Sequence, residues 1–274
     1  MAIEVFNRCE KKYLLNQEQY ETMLDKISTY MVMDTYNKQG QFYKISNIYY
    51  DTVNNDIIRT CIDKPVYKEK LRIRSYGVPS VEDYVFVEIK KKYDGIVYKR
   101  RTQMQLKDAY RYLNGTVSAS YIAQNNCKIN NQLLGEIDYY KNFYKVVPKV
   151  YLSYDRLAYF EKNDGDFRIT FDTNIMTRRE DIRLEYGSFG QLLLPENMYL
   201  MEIKINRAVP LWFVQIMSSL NIYPISFSKY GTEYKKYIIK NYGYFSKSRK
   251  EEEICLNPFL PLQQIIQSIS VLQC

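Results

Sequence analysis

Charged side chains recur at every second position in several stretches of the sequence: Glu10 and Lys12, Arg72 and Arg74, Glu88 and Lys90, Lys99 and Arg101, Glu202 and Lys204. Arg168 stands in the same relation to Thr170 and Asp172. In an extended strand, residues i and i+2 share a face. Each pair therefore projects from one side, while Leu71 and Ile73, Val87 and Ile89, or Met201, Ile203 and Ile205 occupy the other. For any single strand a solvated outer face is the commoner explanation. Repetition over five or six strands points instead to one curled sheet whose charged faces converge. Charges lining a cavity are costly to desolvate unless a highly charged ligand and water fill it. A polyphosphate fits: its oxygens take bidentate Arg and point-charge Lys contacts, with a divalent ion on the carboxylates. Closing such a sheet would also remove its edges.

The composition narrows the chemistry. The 274 residues include no histidine, which excludes Ser-His-Asp triads, Cys-His dyads and His-ligated metals. A metal would rest on oxygen ligands, favouring Mg²⁺ or Mn²⁺. The formal net charge is +8, and residues 64–101 hold eleven Lys or Arg against five Asp or Glu, so the excess is concentrated. A polyanionic partner or a merely basic surface would each account for that charge taken alone. Five cysteines (Cys9, Cys61, Cys127, Cys255, Cys274) form no CxxC pair and suit a reducing cytoplasm. Charges in the first ten residues argue against a secretory leader. No apolar run approaches the roughly 18–20 residues that span a bilayer. Hydrophobic residues make up 46% and charged residues 26%, enough for a packed core.

Period-two alternation predicts strands over 4–13, 44–51, 66–76, 84–92, 96–104, 149–161, 166–173, 181–186 and 198–206. Tyr93-Asp94-Gly95 supplies a tight turn for a hairpin. Helices are expected over 17–31 behind an Asn16 N-cap, within 105–145 with breaks near Asn114-Gly115 and 125–131, from Pro210 in a first turn to Leu220, and from Lys229 to Asn241. The expectation is an α+β chain with one domain over 1–245. The tail over 246–274, charged and then apolar, is a candidate docking helix.

Together Glu10-x-Lys12-Tyr13, KLRIRSYG (70–77), VFVEIKKK (85–92), YDRLAYF (154–160), FRITFDTNI (167–175), LMEIKIN (200–206) and SFSKYGTEY (226–234) resemble the VTC domain, the catalytic domain of eukaryotic vacuolar transporter chaperone polyphosphate polymerases. That family is related to the triphosphate tunnel metalloenzymes and CYTH proteins. The resemblance implies a closed antiparallel β-barrel, the triphosphate tunnel fold, with flanking helices. It implies Lys12, Arg72, Arg74, Lys90, Lys99, Arg156 and Arg168 as phosphate ligands, Glu202 as the Mn²⁺ or Mg²⁺ ligand, and Lys229 at the reacting phosphates. Arg72, Arg74, Glu202 and Lys229 would then form the catalytic set. Strand parity adds Lys204 as a substrate ligand, Glu10 and Glu88 as metal carboxylates, and Arg101 as a further candidate. One departure stands out: Ile225 and Ser226 occupy the region where the eukaryotic enzymes carry a second lysine. The phosphoinositide-sensing SPX domain and the transmembrane helices of those relatives are also missing from this sequence.

The implied activity is transfer of the ATP γ-phosphate to inorganic polyphosphate. A tripolyphosphatase or nucleoside triphosphatase, or a non-catalytic polyphosphate or inositol-phosphate module, would use the same surface. Nucleic acid is disfavoured, because the 29 tyrosines are scattered rather than arranged as stacking platforms. A cytoplasmic location follows, with a separate membrane partner as the route to the inner membrane face. Arg72→Ala is expected to lower activity with little loss of stability, since it would remove one cation from a like-charged cluster.

Overall fold

The computed structural model describes residues 9–37, 40–94, 96–126, 129–162, 167–205 and 208–242. The start of the first expected strand, Gly95 of the hairpin turn, Cys127, Cys255, Cys274 and the 246–274 tail lie outside the described residues. The chain runs β1 (Cys9–Leu15), α1 (Gln17–Ile27), β2 (Met31–Met33), β3 (Tyr43–Asp51), α2 (Asp56–Ile62), β4 (Tyr67–Tyr76), β5 (Tyr84–Tyr93) and β6 (Ile96–Gln105). It continues through α3 (Leu106–Leu113), α4 (Ala119–Asn125), α5 (Asn131–Tyr144), β7 (Val147–Glu161) and β8 (Arg168–Arg178). The remaining elements are β9 (Gln191–Leu192), β10 (Tyr199–Ile205), α6 (Leu211–Ser219), β11 (Pro224–Ile225) and α7 (Lys229–Tyr242).

Every strand pairing is antiparallel, in the order β11-β1-β10-β8-β7-β3-β4-β5-β6, with β2 added to β7 and β9 to β8. The expected α+β architecture and the β5–β6 hairpin are present, but among the described residues the sheet does not close into the expected barrel. Among the described residues the sheet ends at β6 and β11 without a ladder between them. The outer edge of β1 is taken by the two residues of β11, of which Pro224 has no amide hydrogen to extend a ladder. Even so the sheet curls: Lys90 on β5 reaches Glu10 on β1 at 3.9 Å.

The apolar side of each strand faces outward and is covered by helices. One core joins Ile48, Leu71, Ile73, Val87 and Ile89 to α2, α3, α5 and α7; a second joins Leu157, Phe171, Met201 and Ile203 to α1 and α6. Burying each such side chain stabilises by about 1.5–3 kcal/mol. The sheet is thus apolar outside and charged inside.

Local chemistry explains the remaining differences from expectation. Asn16 caps α1 as expected, in a reciprocal box with Gln19. The helix stops at Ile27 rather than residue 31 because Met31–Met33 is drawn onto β7 as a strand. Pro210 is the N-cap of α6 rather than part of its first turn. Residues 181–186 form an irregular loop, not a strand. Arg178 draws that loop inward by donating to the carbonyls of Asp181, Arg183, Gly187 and Phe189, its guanidinium held over the Tyr151 and Phe189 rings. Helix α2, unforeseen in the sequence, starts where the buried Asp51 carboxylate accepts from the amides of Ile57 and Ile58 and from the Tyr230 hydroxyl. Asp51 thereby fastens the start of α7, and with it Lys229, to the end of β3.

Candidate active site

Strand register places the alternating charges on the inner face. Arg72 lies opposite Tyr49 and Glu88, Glu88 opposite Arg101, and Lys90 opposite Lys70 and Lys99. On the other half of the sheet Arg156 lies opposite Asp172, Glu202 opposite Lys12 and Thr170, and Lys204 opposite Glu10 and Arg168.

Two knots of charge form there. In the first, Arg72 donates to Glu88 Oε2 through Nε and Nη2 at 2.8 and 2.7 Å, and to Tyr49 Oη through Nη1 at 3.0 Å. Arg74 donates to Asn47 and Tyr154, and both Arg74 and Lys99 stand 3.8 Å from Glu88. Arg101 sits 4.5 Å over the Phe86 ring. In the second, Arg156 clamps Asp172 at 2.6 and 2.7 Å, and Lys229 Nζ donates to Asp172 at 2.5 Å and Glu202 at 3.0 Å. Lys12 donates to the Phe227 carbonyl and pairs with Glu202 and Glu10 at 3.5 and 3.4 Å. Arg168 pairs with Asp34 at 3.4 Å. Two buried polar atoms face this interior with no hydrogen-bond partner among the described residues: Arg168 Nε, a free donor, and Glu88 Oε1.

The cations hold the carboxylates ionised. Against the opposing effect of burial, Lys12, Lys229 and Arg156 keep Glu202 far below the usual carboxylate range, and Arg156 and Lys229 lower Asp172. Burial likewise opposes ionisation of Glu88, but Arg72, Arg74 and Lys99 hold its carboxyl down to about 2. Burial pushes Lys99 and Lys204 down to about 8; Glu88 and Glu202 respectively offset only part of that push. The Tyr49 phenol, raised by burial, is pulled down to about 8 by Arg72, Lys70 and Arg74.

These shifts carry a pH dependence. Lys99 and Lys204 lose their charge and Tyr49 gains one as pH rises through about 8, so the interior becomes less cationic. A bound polyanion would restore the protons. Tripolyphosphate affinity should therefore fall by about tenfold or more between pH 7 and 9, with proton uptake on binding near pH 8.5. Calorimetry in buffers of different ionisation enthalpy reads both, and a flat profile without uptake contradicts the assignment. Stability moves the other way. The folded lysine values lie below the unfolded one, so these lysines cost stability below pH 8, and the penalty is relieved as pH rises from about 8 towards 10.5.

No group of three or more Cys, Asp and Glu side chains that could share a metal ion occurs among the described residues. Glu10 and Glu202 are neighbours all the same, both paired with Lys12. Glu202 is itself held by Lys229, Lys12 and Arg156, so these two hard oxygen donors would suit Mg²⁺ or Mn²⁺ completed by ligands from outside the protein rather than an all-protein cage. Glu88, the third carboxylate named from the sequence, is ringed by Arg72, Arg74 and Lys99.

Sequence reasoning did not single out Asp172 as a binding partner, nor Tyr49, Tyr154, Asn47 and Asp34. Asp172 had a signal, sharing a strand face with Arg168. Asp34 had none, since it lies just beyond an unforeseen strand. Lys68, Lys70 and Lys92 extend the parity of Arg72 and Lys90 and were legible by the same rule.

Fold and site together define an antiparallel-sheet protein built around a concave cationic interior. The chain belongs to the VTC domain family, whose profile matches residues 7–238. Among solved structures it is similar to a proposed adenylate cyclase of Vibrio parahaemolyticus, at 12% identity and TM-score 0.41 over 81% of this chain and 94% of that one. It is also similar to a proposed adenylyl cyclase of Hippeastrum, described as having a dominant triphosphatase activity, at 15% identity and TM-score 0.45 over 81% and 93%. No curated protein matches the chain. No helix among the described residues is long and apolar enough to cross a membrane.

Proposed function

We propose that this protein is a metal-dependent polyphosphate polymerase that transfers the γ-phosphate of ATP to a growing inorganic polyphosphate chain. The observation that carries this reading is the convergence of Lys12, Arg72, Arg74, Arg156, Arg168 and Lys229 on one concave face in a VTC-family chain without histidine. Phosphoryl transfer needs positioning and charge neutralisation rather than a protein nucleophile.

Arg72, Arg74, Arg156 and Arg168 grip the phosphates of the two substrates. A terminal oxygen of the chain, already ionised at neutral pH, forms the new bond to the γ-phosphorus. The bond from that phosphorus to the β–γ bridging oxygen breaks, and ADP leaves with the electron pair. No proton is abstracted, so no general base is required. Lys229 stabilises the charge that builds on the transferring group. Glu202 with Glu10 would hold the divalent ion, which supplies charge neutralisation on the phosphate oxygens. Lys90, Lys99, Lys204 and Arg101 add to the attraction of the interior for the polyanion.

Incubation with ATP and Mn²⁺ or Mg²⁺, read by polyphosphate staining on a gel, is expected to show long chains and stoichiometric ADP. Free phosphate without chains would make the protein a hydrolase. Tight binding with no turnover under either metal would make it a binding module.

A further inference from the structure

The outer face at the start of β4 and the end of β5 carries aromatic side chains that neither core buries. Tyr67 lies directly opposite Tyr93, and its hydroxyl donates to Glu69 Oε2 at 2.9 Å. Tyr144, the last residue of α5, donates to Glu69 Oε1 at 3.0 Å. The Tyr144 ring meets Phe143 edge-on at 4.8 Å, and Phe143 stacks with Tyr139 at 5.6 Å. The Asp94 amide donates to the Val66 carbonyl at 3.0 Å, which brings the β5–β6 turn beside the entry to β4. Val66, Tyr67, Tyr93, Tyr139 and Phe143 are each 45–66% exposed, and these contacts join them into one patch. Apolar side chains exposed singly need no explanation, whereas a contiguous set marks an interaction surface.

Lysines frame the patch. Lys64 and Lys68 flank Val66 and Tyr67 in sequence, Lys92 precedes Tyr93 and lies opposite Lys68, and Lys145 follows Tyr144. Among the described residues none of the four joins an ion pair. Burial lowers the Lys68 ammonium, and Lys92 and Lys64 act in the same direction, so these like charges stand close together. Fewer carboxylates are left to answer them. Asp63 and Asp94 are exposed, but Glu69 accepts from the two tyrosines, Glu136 pairs with Lys91 and Arg100, and Asp138 pairs with Lys141.

We propose that this end of the molecule docks directly on an anionic lipid surface, with the exposed rings in the headgroup region and the four lysines against acidic headgroups. Rings with a polar tip settle at the boundary between headgroup and hydrocarbon, and lysine stems lie along apolar surface while their ammonium groups reach for anions. A second copy of this chain would set the four lysines against four identical ones, which repels. A neutral apolar partner would leave their charge unanswered. The patch is separate from the charged interior, because Tyr67 and Tyr93 have the strand parity opposite to Arg72 and Lys90. It requires neither ATP nor a phosphate chain, so it stands apart from the function proposed above.

Sedimentation of the full chain with vesicles tests the surface. Binding is expected to phosphatidylcholine–phosphatidylserine vesicles, and about tenfold or more weaker binding to phosphatidylcholine alone. Lys64→Gln/Lys145→Gln should weaken attachment to the anionic vesicles by about tenfold or more, at roughly fivefold per lysine, while Lys64→Arg/Lys145→Arg keeps it. Tyr139→Ser/Phe143→Ser should weaken it by about tenfold with an unchanged thermal unfolding midpoint, since both side chains are exposed. Free tripolyphosphate at equal ionic strength should leave the wild type on the vesicles. Equal binding to both vesicles, binding to neither, or attachment unaltered by Tyr139→Ser/Phe143→Ser overturns the proposal. So does release by tripolyphosphate, which would put the lipid headgroups in the basic interior instead. Self-association without vesicles that the same substitutions abolish would make the patch a protein interface and overturn it too.

Discussion

Arg72→Ala is expected to lower turnover by about 10²–10³ and to destabilise the fold by about 2–3 kcal/mol. The first effect follows from removing a guanidinium that is fixed in place by Glu88 and Tyr49 and so needs no reorganisation on binding. The second reverses the expectation drawn from sequence, where Arg72 looked like one cation among many. It is in fact the hydrogen-bonding partner of Glu88, a carboxylate only 1% exposed. Without it Glu88 keeps Arg74 and Lys99 at 3.8 Å but loses its charge-assisted hydrogen bonds, and its Oε1 already has none. Breaking a buried pair by deleting one partner typically costs about 3–5 kcal/mol, and the two remaining cations moderate that. Arg72→Ala/Glu88→Gln should regain much of the stability and none of the turnover. Urea unfolding beside ATP-dependent chain synthesis reads both, and normal turnover in the single variant would defeat the proposed role.

Lys229→Met should lower kcat by about 10²–10³ while Lys229→Arg retains a measurable part of it. The ammonium sits at the first residue of α7 and bridges Asp172 and Glu202. Both carboxyls are held below their ordinary values in part by this cation. Removing it lets both rise, so activity in Lys229→Met should fall at a higher pH than in the wild type as acid is added. The direction is fixed: a depressed carboxyl contributes above its unfolded value, and that contribution disappears as pH drops through the folded one. An unchanged acid limb in the variant would show that Lys229 does not act on this pair.

Strand parity made most of the interior legible before any coordinates. Side chains two apart must share a face, and the apolar partners Leu71, Ile73, Val87 and Ile89 showed which face was packed. What parity cannot carry is the identity of a partner from a distant strand. The clamp of Asp172 on Arg156 and Lys229 brings together residues far apart in sequence, and Glu88 turned Arg72 from a free cation into a paired one. Closure was likewise beyond reach, because it depends on whether the first and last strands find hydrogen-bonding partners. Here a two-residue strand containing Pro224 intervenes. The 181–186 segment alternates like a strand, yet the bonds from Arg178 to the carbonyls of Asp181 and Arg183, and to Gly187 and Phe189 just beyond, outweigh its local preference.

The unjoined sheet has a topological meaning for a polymer. A complete ring admits a long molecule only by its tip, so engagement would wait on a free end diffusing to the opening. Among the described residues no ladder joins β6 to β11, and the Lys90–Glu10 ion pair, one strand in from each end, is a weak contact between the two halves of the sheet. On the proposed function, a strand of phosphate would be laid in from the flank, and productive encounters would then grow with chain length rather than with the number of ends.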